Sequence, residues 1–540
     1  MNRFIYILLF SMLLSSCKPD KKQEKEQEQP PNIIFIMTDD HAYQALSAYD
    51  DRLISTPNLD ELAEEGMRFD QSFVTNSISA PSRATLLTGQ YSHKNGVIDN
   101  MKSFDTSLVT FPRLLQDAGY QTAMIGKWHL KTEPQGFDYW KVLPGQGSYY
   151  NPDFIEMGEN VKDTGYVTDL ITNDVIDWID QANDDQPFAV VYNHKAPHRE
   201  WWPGPDHLNT FDDKKFPLPH TLFDQYKGRK AAEQALMAID SNMYLSSDLK
   251  VKPEYVKGKG LYPDEEHVRR YNLYTRKYNR MTDAQKEAWD KAYQDRQEEF
   301  LQKDMTGKDL VEWKYQQYME DYLRCIASVD DNIGRLMDYL EKKGLEENTI
   351  VVYTSDQGFY LGEHGWFDKR FMYEQSLRMP LIVRYPEKVE AGSVNDDIVL
   401  NLDFAPTLLD YAGVEIPEQM QGRSMKPVLE GNTPEDWRDA MYYHYYEYPA
   451  WHGVKRHYGV RTDRYKLMHF YYDIDQWEFY DLKKDSLEMH NEIDNPEYQD
   501  EIERLKKIIE EKRKEFGDSD SLQQEYIERW IDKGRTENYF

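Results

Sequence analysis

The chain has 540 residues, of which 40% are hydrophobic, and its 65 Lys and Arg against 96 Asp and Glu give a formal net charge of -31. This length can bury a large core, so we expect a globular protein with either one large α/β domain and an appendage or several small domains. The acidic balance argues against nucleic acid as a partner, because phosphate binding requires clustered Lys and Arg. An anionic substrate would need a locally cationic site.

The chain begins with the pattern of an export signal. Arg3 precedes an apolar run from Phe4 to Leu14, and "LSSC" follows and ends at Cys17. This is the form of a secretory signal peptide, and small residues directly before a cysteine resemble a bacterial lipobox. We therefore predict that residues 1–16 are a lipoprotein signal peptide and that Cys17 is lipidated. An ordinary signal peptide or a short membrane anchor is the alternative.

The residues after Cys17 have the composition of a tether. The run "KPDKKQEKEQEQPP" is charged and rich in Gln, so it cannot bury apolar surface. With residues 17–31 as a tether, the lipid on Cys17 would hold the folded body at a membrane. The predicted location is the bacterial cell envelope, as an outer-membrane lipoprotein that faces the periplasm or the cell surface.

Strands and helices alternate through most of the chain. "NIIFIM" at 32–37 is a continuous apolar run, as in a strand buried on both faces, and it leads into Asp39 and Asp40. "TIVVYTSDQG" is a second such strand, followed by Asp356 and Gln357. The alternation predicts an α/β fold with a large central, mostly parallel sheet flanked by helices. The pair of acids and the pair of acid and amide then lie at the carboxyl edge of that sheet, where ligands bind.

Three further regions complete the predicted organisation. Apolar residues recur every three or four positions from Tyr318 to Leu340, which predicts an amphipathic helix that ends at Gly344. The stretch at about 202–312 is charged, rich in Tyr and weakly periodic, and we interpret it as an insertion in a main domain at 32–431. Aromatic alternating segments predict a C-terminal subdomain at 432–540, made of a small antiparallel sheet plus a helix.

Two pairs of oxygen donors and one serine are the candidate site. Three carboxylates and an amide oxygen suit Ca²⁺ or Mg²⁺, and the lack of nearby Cys or of paired His argues against zinc. Each pair alone is more often a cap or a turn. Between them in the chain lies "SISAPSRATLLTG", in which Ser79 is a nucleophile, a precursor of one, or a helix cap.

The Ser79 segment carries the strongest resemblance to a known family. "SAPSR" followed by "ATLLTG" matches the signature of Cys or Ser, any residue, Pro, a small residue and Arg in the formylglycine-dependent sulfatases. The blocks "PNIIFIMTDDH", "GKWHL", "NHKAPHRE", "TSDQGFYLGEHGWFDK" and "FAPTLLDYAG" with "MQGRSMKPVLEG" occur in the order of that family, from Pro31 to about Gly431. The chain thus resembles a serine-type sulfatase of the alkaline phosphatase superfamily. The resemblance implies an alkaline phosphatase-like fold, with residues 32–431 as the catalytic domain.

The resemblance also implies a chemical role for Ser79. In the family, a formylglycine-generating maturation enzyme oxidises this residue, and the hydrated aldehyde, bound to one Ca²⁺, attacks sulfur. A plain serine could accept sulfate but could not release it by that route. Carried over to this chain, the calcium ligands are Asp39, Asp40, Ser79, Asp356 and Gln357. Gln357 departs from the Asn or His that is more usual in the family.

The remaining family positions are cations around the sulfate. By resemblance, Arg83 holds the nucleophile, Lys127 of "GKWH" binds the sulfate, and His129 takes the proton from the nucleophile. His198 of "APH" and Lys369 of "GWFDK" contact the sulfate and its leaving oxygen, with His198 as the acid.

Three more residues are candidate substrate contacts. His364 in "LGEHG" is one, although it could also only hold its loop. In the family the C-terminal subdomain lends residues to the substrate cleft, which makes His452 and Arg456 of "WHGVKR" candidate sugar contacts.

The predicted function is that of a carbohydrate sulfatase acting on a sulfated polysaccharide or oligosaccharide. The motifs resemble bacterial polysaccharide-degrading sulfatases, so the candidate substrates are algal polysaccharides such as ulvan, or glycosaminoglycans. One alternative is a phosphomonoesterase or phosphodiesterase that uses an unmodified Ser79. The other is a non-catalytic lipoprotein that binds sulfated glycans.

Overall fold

The computed structural model describes residues 30–183, 185–259, 261 and 263–532. The predicted signal peptide, Cys17 and nearly all of the predicted tether lie outside the described residues, so lipid attachment remains a prediction. Within the described part of the chain, no helix combines the length and the apolar character needed to span a bilayer.

The strands of the described residues are short. In chain order they are β1 (Asn32–Thr38), β2 (Met67–Phe69), β3 (Ser72–Phe73), β4 (Gln121–Lys127), β5 (Tyr139–Leu143), β6 (Asp153–Glu156), β7 (Glu159–Lys162), β8 (Phe188–Asn193), β9 (Thr349–Ser355), β10 (Tyr360–Leu361), β11 (Phe367–Asp368), β12 (Leu381–Arg384), β13 (Ser393–Asn395), β14 (Val399–Leu400), β15 (Ala440–Tyr445), β16 (His457–Thr462), β17 (Tyr465–Phe470) and β18 (Gln476–Asp481).

The helices vary more in length. They are α1 (Pro57–Glu64), α2 (Ser79–Thr88), α3 (Ser92–Asn95), α4 (Phe111–Asp117), α5 (Val167–Gln181), α6 (Lys230–Glu233), α7 (Ile239–Asn242), α8 (Pro253–Val256), α9 (Asp264–Tyr278), α10 (Asp283–Ala292), α11 (Gln294–Gln302), α12 (Gly307–Lys343), α13 (Glu374–Leu377), α14 (Phe404–Tyr411), α15 (Lys426–Leu429), α16 (Gln499–Phe516) and α17 (Asp520–Asp532).

Ten of these strands form one mixed sheet in the order β13-β2-β12-β9-β1-β8-β4-β5-β6-β7. Its centre, from β9 through β1, β8 and β4 to β5, is parallel. Antiparallel pairing appears outside this centre, where β12 joins β9 and β6 joins β5. The prediction of a large central, mostly parallel sheet is confirmed, with antiparallel pairing toward its edges.

Both faces of the sheet are covered, as the unbroken apolar run of β1 requires. Ile34 and Ile36 face one side, where they join a core that includes α1, α5 and α12. Phe35 and Met37 face the other side, toward α2, α4 and α14. Successive side chains of a strand point to opposite faces, so a strand buried on both faces has no polar positions.

Helix α12 confirms the periodic pattern found in the sequence. The predicted apolar positions between Tyr318 and Leu340 are buried, and the helix ends at Gly344, which has a φ of 67°. Only glycine adopts that left-handed conformation without a steric penalty from Cβ. Cys325 of this helix is a buried free thiol, as expected of a core residue.

The register of the parallel strands determines what meets at their carboxyl ends. Thr38 of β1 lies opposite Ser355 of β9, so Asp39 and Asp356 follow as neighbours. On the other side, β1 pairs with β8 and β8 pairs with β4. The segments after all four strands therefore converge on one edge of the sheet.

The C-terminal part forms its own antiparallel sheet, β15-β16-β17-β18, against which α16 packs. This agrees with the predicted sheet plus helix. Its core is continuous with aromatic residues that follow β9 in the main domain, such as Trp366 and Phe371. The boundary at 431/432 remains a prediction.

The stretch at 202–312, for which sequence patterns offered no placement, contains α6 to α11. It joins the main core, because Trp202 stacks on Trp289 of α10 at 4.5 Å and both are buried. Helix α9 of this stretch lies beside the carboxyl edge of the sheet, where its residues line a cleft.

Replacing Glu478 with glutamine is expected to change how stability depends on pH. Glu478 lies buried in β18, where it accepts hydrogen bonds of 2.7 Å from the hydroxyls of Tyr373 and Tyr480. Burial raises the pKa of its carboxyl from 4.5 to about 7. Between these values the folded chain keeps a proton that the unfolded chain releases, so this group costs stability as the pH rises through that window.

Glu478→Gln removes that cost. We expect the difference in unfolding free energy between wild type and variant to change by about 3 kcal/mol across the window, measured by urea unfolding at a series of pH values. Stability curves that remain parallel over the whole series would contradict this assignment.

Candidate active site

The four predicted oxygen-donor residues come together at the carboxyl ends of β1 and β9. The backbone N–H of Asp40 donates to Asp356 Oδ1 at 3.1 Å, and the amide of Gln357 contacts Asp40 Oδ1. All four residues, Asp39 included, are at most 1% exposed. The structure therefore builds a buried acidic floor from two strands that are more than 300 residues apart in the chain.

The charges of this floor are only partly neutralised. Burial raises the pKa of Asp40 to about 7, with Lys369 offsetting part of the effect and the neighbouring carboxylates adding to it. Burial and the charge of Asp39 raise the pKa of Asp356 to about 6. For Asp39, burial is outweighed by Lys127, His198 and Arg83, so its pKa lies well below the usual range.

The donor set fits a hard divalent cation. Ligand atoms of Asp39, Asp40 and His198 lie within 4.8 Å of one another. Gln357 Oε1 is buried, and among the described residues it has no hydrogen-bond partner. Carboxylate and amide oxygens are the ligands that Ca²⁺ and Mg²⁺ prefer, and an unpaired buried acceptor is costly unless something binds it.

Ser79 lies directly against this floor. It is the first residue of α2, and its hydroxyl donates to Asp39 Oδ1 at 3.2 Å. The residue at the N-cap position is Ile78, so Ser79 is not the helix cap that the sequence allowed. Its side chain is 1% exposed but borders the cleft.

Arg83 follows one turn later on the same face of α2. Its guanidinium donates to Asp356 Oδ2 at 3.0 Å and to the carbonyl of Lys127 at 2.8 Å. Both bonds fix its head beside Ser79, and the side chain is buried. A positive group is thereby held next to the serine hydroxyl without help from solvent.

Lys127 and His129 extend from the end of β4. The Lys127 ammonium contacts Asp39 Oδ2 and donates to Gln146 Oε1 at 2.5 Å. The other end of that amide lies 3.2 Å from His129 Nε2. Burial and then the Lys127 charge lower the pKa of His129 well below its usual value. The imidazole is therefore neutral and can accept a proton.

His198 and Lys369 complete the site from the other side. His198 Nδ1 lies 2.5 Å from the carbonyl of Arg199, which makes Nδ1 the protonated nitrogen and leaves Nε2 to face Asp40 Oδ2 at 3.8 Å. Lys369 Nζ donates to both oxygens of Asp40, at 2.6 and 2.7 Å. Burial and the Lys127 charge lower the pKa of His198.

Two of the predicted substrate contacts lie elsewhere. His364 is buried, and its Nδ1 bonds Asp224 Oδ2 at 2.9 Å. Arg456 is also buried, and its Nε donates to the carbonyl of Tyr448 at 2.7 Å. Neither borders the cleft. The third, His452, does border it, with Nε2 at 3.2 Å from Asp368 Oδ2.

The cleft above Ser79 has a volume of about 690 Å³. One wall is a face of α9 and the turn after it, formed by Arg269, Arg270, Leu273, Arg276, Lys277 and Arg280. Sequence reasoning missed this wall. The signal was present, because these positions recur at intervals of three and four, but five of the six are cationic instead of apolar.

Comparison with known families agrees with this geometry. A family model described as Sulfatase matches residues 31–414. The chain belongs to the sulfatase family. A second model, N-sulphoglucosamine sulphohydrolase, C-terminal, matches residues 362–515 of this sulfatase. The resemblance drawn from "SAPSR" and its companion motifs is confirmed, and the protein is a sulfuric ester hydrolase. The phosphatase and the non-catalytic alternatives thereby lose their support.

Similar proteins cover nearly the whole sulfatase. An N-acetylglucosamine-6-O-sulfatase of Bacteroides thetaiotaomicron is 51% identical over 527 residues, which are 96% of this chain and 92% of the relative. An ulvan-active sulfatase of Formosa agariphila is 25% identical over 543 residues, 97% and 89% of the two chains. A solved structure in complex with its substrate, D-glucosamine-2-N,6-O-disulfate, is 53% identical with a TM-score of 0.86, and covers 91% of this chain and 99% of its own.

Proposed function

We propose that this sulfatase hydrolyses the 6-O-sulfate ester of glucosamine residues in sulfated glycans of the glycosaminoglycan type. The observation that carries the proposal is the 51% identity, over almost the full length of both chains, to an N-acetylglucosamine-6-O-sulfatase. The geometry of the site also supports the proposal, because a cleft wide enough for a sugar lies above a buried hydroxyl and several cations.

Ulvan is the second candidate substrate. The relative named for activity on ulvan is 25% identical, about half the identity of the glucosamine sulfatase. Substrate choice depends on a few contacts in the cleft, so the more similar relative is the better guide. Ulvan therefore serves as the contrasting substrate in the test.

The roles of the site residues follow from their contacts. Oxidation of Ser79 to formylglycine by a maturation enzyme would supply a hydrated aldehyde, with one hydroxyl to attack sulfur and a second to release the sulfate. Asp39 accepts the hydrogen bond from the residue 79 side chain, which aims that oxygen into the cleft. Neutral His129 accepts the proton that this side chain loses. Arg83 holds positive charge beside it.

A second group acts on the sulfate and the departing sugar. Lys127 and Lys369 lie on either side of the acidic floor and bind sulfate oxygens. His198, held through Nδ1, presents Nε2 to the cleft. The negative charge of a bound sulfate raises the pKa of that imidazole, so it can carry a proton to the sugar oxygen that leaves.

A calcium ion would be held by Asp39, Asp40, Asp356, Gln357 and the side chain at position 79, and would supply positive charge beside the nucleophile. The raised carboxyl pKa values and the unpaired Gln357 Oε1 support this placement. Attachment to a bacterial envelope membrane through a lipidated Cys17 belongs to the same proposal and rests on the sequence pattern alone.

The test is a comparison of sulfate release from defined substrates. The matured enzyme is incubated with N-acetylglucosamine 6-sulfate, with its 3-sulfate isomer and with ulvan oligosaccharides, and free sulfate is measured by ion chromatography. We expect kcat/KM for the 6-sulfate to exceed that for either competitor by about 100-fold or more. Equal rates on the two isomers, or faster release from ulvan, would reject the proposal.

A further inference from the structure

Lys195 is a buried cation that the proposed chemistry does not use. It follows β8, is 1% exposed, and borders the cleft. Within the described residues, its ammonium makes no hydrogen bond and no ion pair. The ammonium lies 4.6 Å from the centroid of the Tyr149 ring. A buried charge without a hydrogen-bonding partner is costly, so this one requires an explanation.

Other buried lysines of the described residues are paired. Lys250 lies 2.9 Å from Asp321 Oδ2, and Lys466 lies 2.7 Å from Glu488 Oε1. Lys314 donates to three backbone carbonyls, and Lys369 to Asp40. Each of these buried lysines has an acceptor within the protein, and Lys195 is the exception.

The surroundings of Lys195 do not supply the missing charge. Burial, followed by the charges of Lys277 and Lys127, lowers the pKa of its ammonium from 10.5 to about 7, and Asp39 and Glu200 offset only part of this effect. Glu200 is itself engaged by Lys277, at 2.7 Å. Glu200 therefore cannot neutralise both lysines.

The wall above Lys195 is also positive. Arg276 and Lys277 are adjacent on the face of α9 that borders the cleft. Arg276 is exposed, and no ion pair joins it to another described residue. In a chain with a net charge of -31, the cleft is lined by nine Lys or Arg and four Asp or Glu. Seven of the nine cations are ion-paired with carboxylates, and only Lys195 and Arg276 form no ion pair with a described residue.

We propose that Lys195, with Lys277 and Arg276, forms a second anion subsite that binds a further sulfate or carboxylate group of the substrate. The inference rests on the proposed function and refines its substrate class to glucosamine derivatives with a second anionic group. That group is either an N-sulfate on the same sugar or a carboxylate or sulfate on the adjoining sugar. Binding it gives the Lys195 ammonium the acceptor that the protein does not provide.

The experiment compares substrates with and without the second anion. Wild type, Lys195→Met and Arg276→Ala are assayed on N-acetylglucosamine 6-sulfate, on glucosamine-2-N,6-O-disulfate and on a disaccharide of a uronic acid and N-acetylglucosamine 6-sulfate. For Lys195→Met we expect kcat/KM to fall about 10- to 100-fold on the doubly charged substrate that uses the subsite, mainly through KM. The fall on the singly charged sugar should be at least tenfold smaller.

One control variant is added, and the second variant and the two doubly charged substrates each have a separate purpose. Lys291→Met removes a surface charge of α10 outside the cleft and serves as the charge-matched control. Arg276→Ala alters an exposed side chain, so it carries the test if Lys195→Met does not fold, with an expected loss of about three- to tenfold on the same substrate. The disulfate and the uronyl disaccharide identify which position of the second anion is recognised.

Binding separates this inference from the proposed activity. In a Ser79→Ala background, titration calorimetry with glucosamine-2-N,6-O-disulfate and with the uronyl disaccharide should show Lys195→Met weakening the binding of one of them about tenfold or more. An equal loss on all substrates, or unchanged affinity for both ligands, would overturn the subsite. A lack of 6-sulfate hydrolysis by wild type would instead reject the proposed function.

Discussion

Ser79→Ala is expected to abolish sulfate release, with kcat lowered by about 10⁵-fold or more. The substitution removes the oxygen that lies 3.2 Å from Asp39 Oδ1 and leaves Cβ and the helix in place. Removing a nucleophile leaves only binding and electrostatic effects to act on the ester. The measurement is sulfate release in the presence of saturating 6-sulfated glucosamine.

A buried serine two residues earlier is the matched control. Ser77 donates a 2.7 Å hydrogen bond to the carbonyl of Ser376 and does not border the cleft. Ser77→Ala should cost about 1 kcal/mol of stability and leave most of the activity. Mass spectrometry of the wild-type peptide that contains Ser79 should show the loss of two hydrogens. A fully active enzyme with an intact serine would disprove the maturation step.

Removing divalent cations with EGTA is expected to inactivate the enzyme by at least about 100-fold and to lower its melting temperature. Asp39, Asp40 and Asp356 are buried together, and burial, the main cause of the raised pKa values of the last two, makes their charged forms costly without a bound cation. A ligand present at a thousand times its Kd stabilises a fold by about 4 kcal/mol. When the cation is added back, activity and melting temperature should therefore rise together.

The identity of the ion is tested by restoring it. Ca²⁺ should return activity to the chelated enzyme, whereas Zn²⁺ should not, because the donors are oxygens. Gln357→Leu should raise the Ca²⁺ concentration needed for half recovery by about tenfold or more. Gln44→Leu is its control, since Gln44 bonds Glu363. Full activity in EGTA-treated protein shown to contain no metal would refute the assignment.

The central sheet and its acidic edge were predictable because they depend on local patterns. The apolar run of β1 requires cover on both faces, and the residues after a parallel strand lie at its carboxyl edge wherever the strand sits. The pairing of β1 with β9 then places Asp39 next to Asp356. The periodicity of α12 likewise specifies the face that it buries.

The cleft walls were not predictable in the same way. Helix α9 has a cationic face, and a charged face alone does not reveal whether it meets water or a substrate. Its position depends on contacts between distant segments, such as Trp202 with Trp289. The basic residues of "WHGVKR" also looked alike in sequence, yet Arg456 turns toward the carbonyl of Tyr448 and His452 reaches the cleft.

Under the proposed function, the burial of α2 determines when Ser79 can be oxidised. Every residue of this helix is buried, including the Pro81 and Arg83 that identify the segment. An enzyme that reads these side chains cannot reach them while the helix is packed in the core. Oxidation must therefore come before β9 and the Lys369 segment, which are made later, close around the helix. This places the proposed maturation step ahead of folding, and a chain that folds before it would remain permanently inactive.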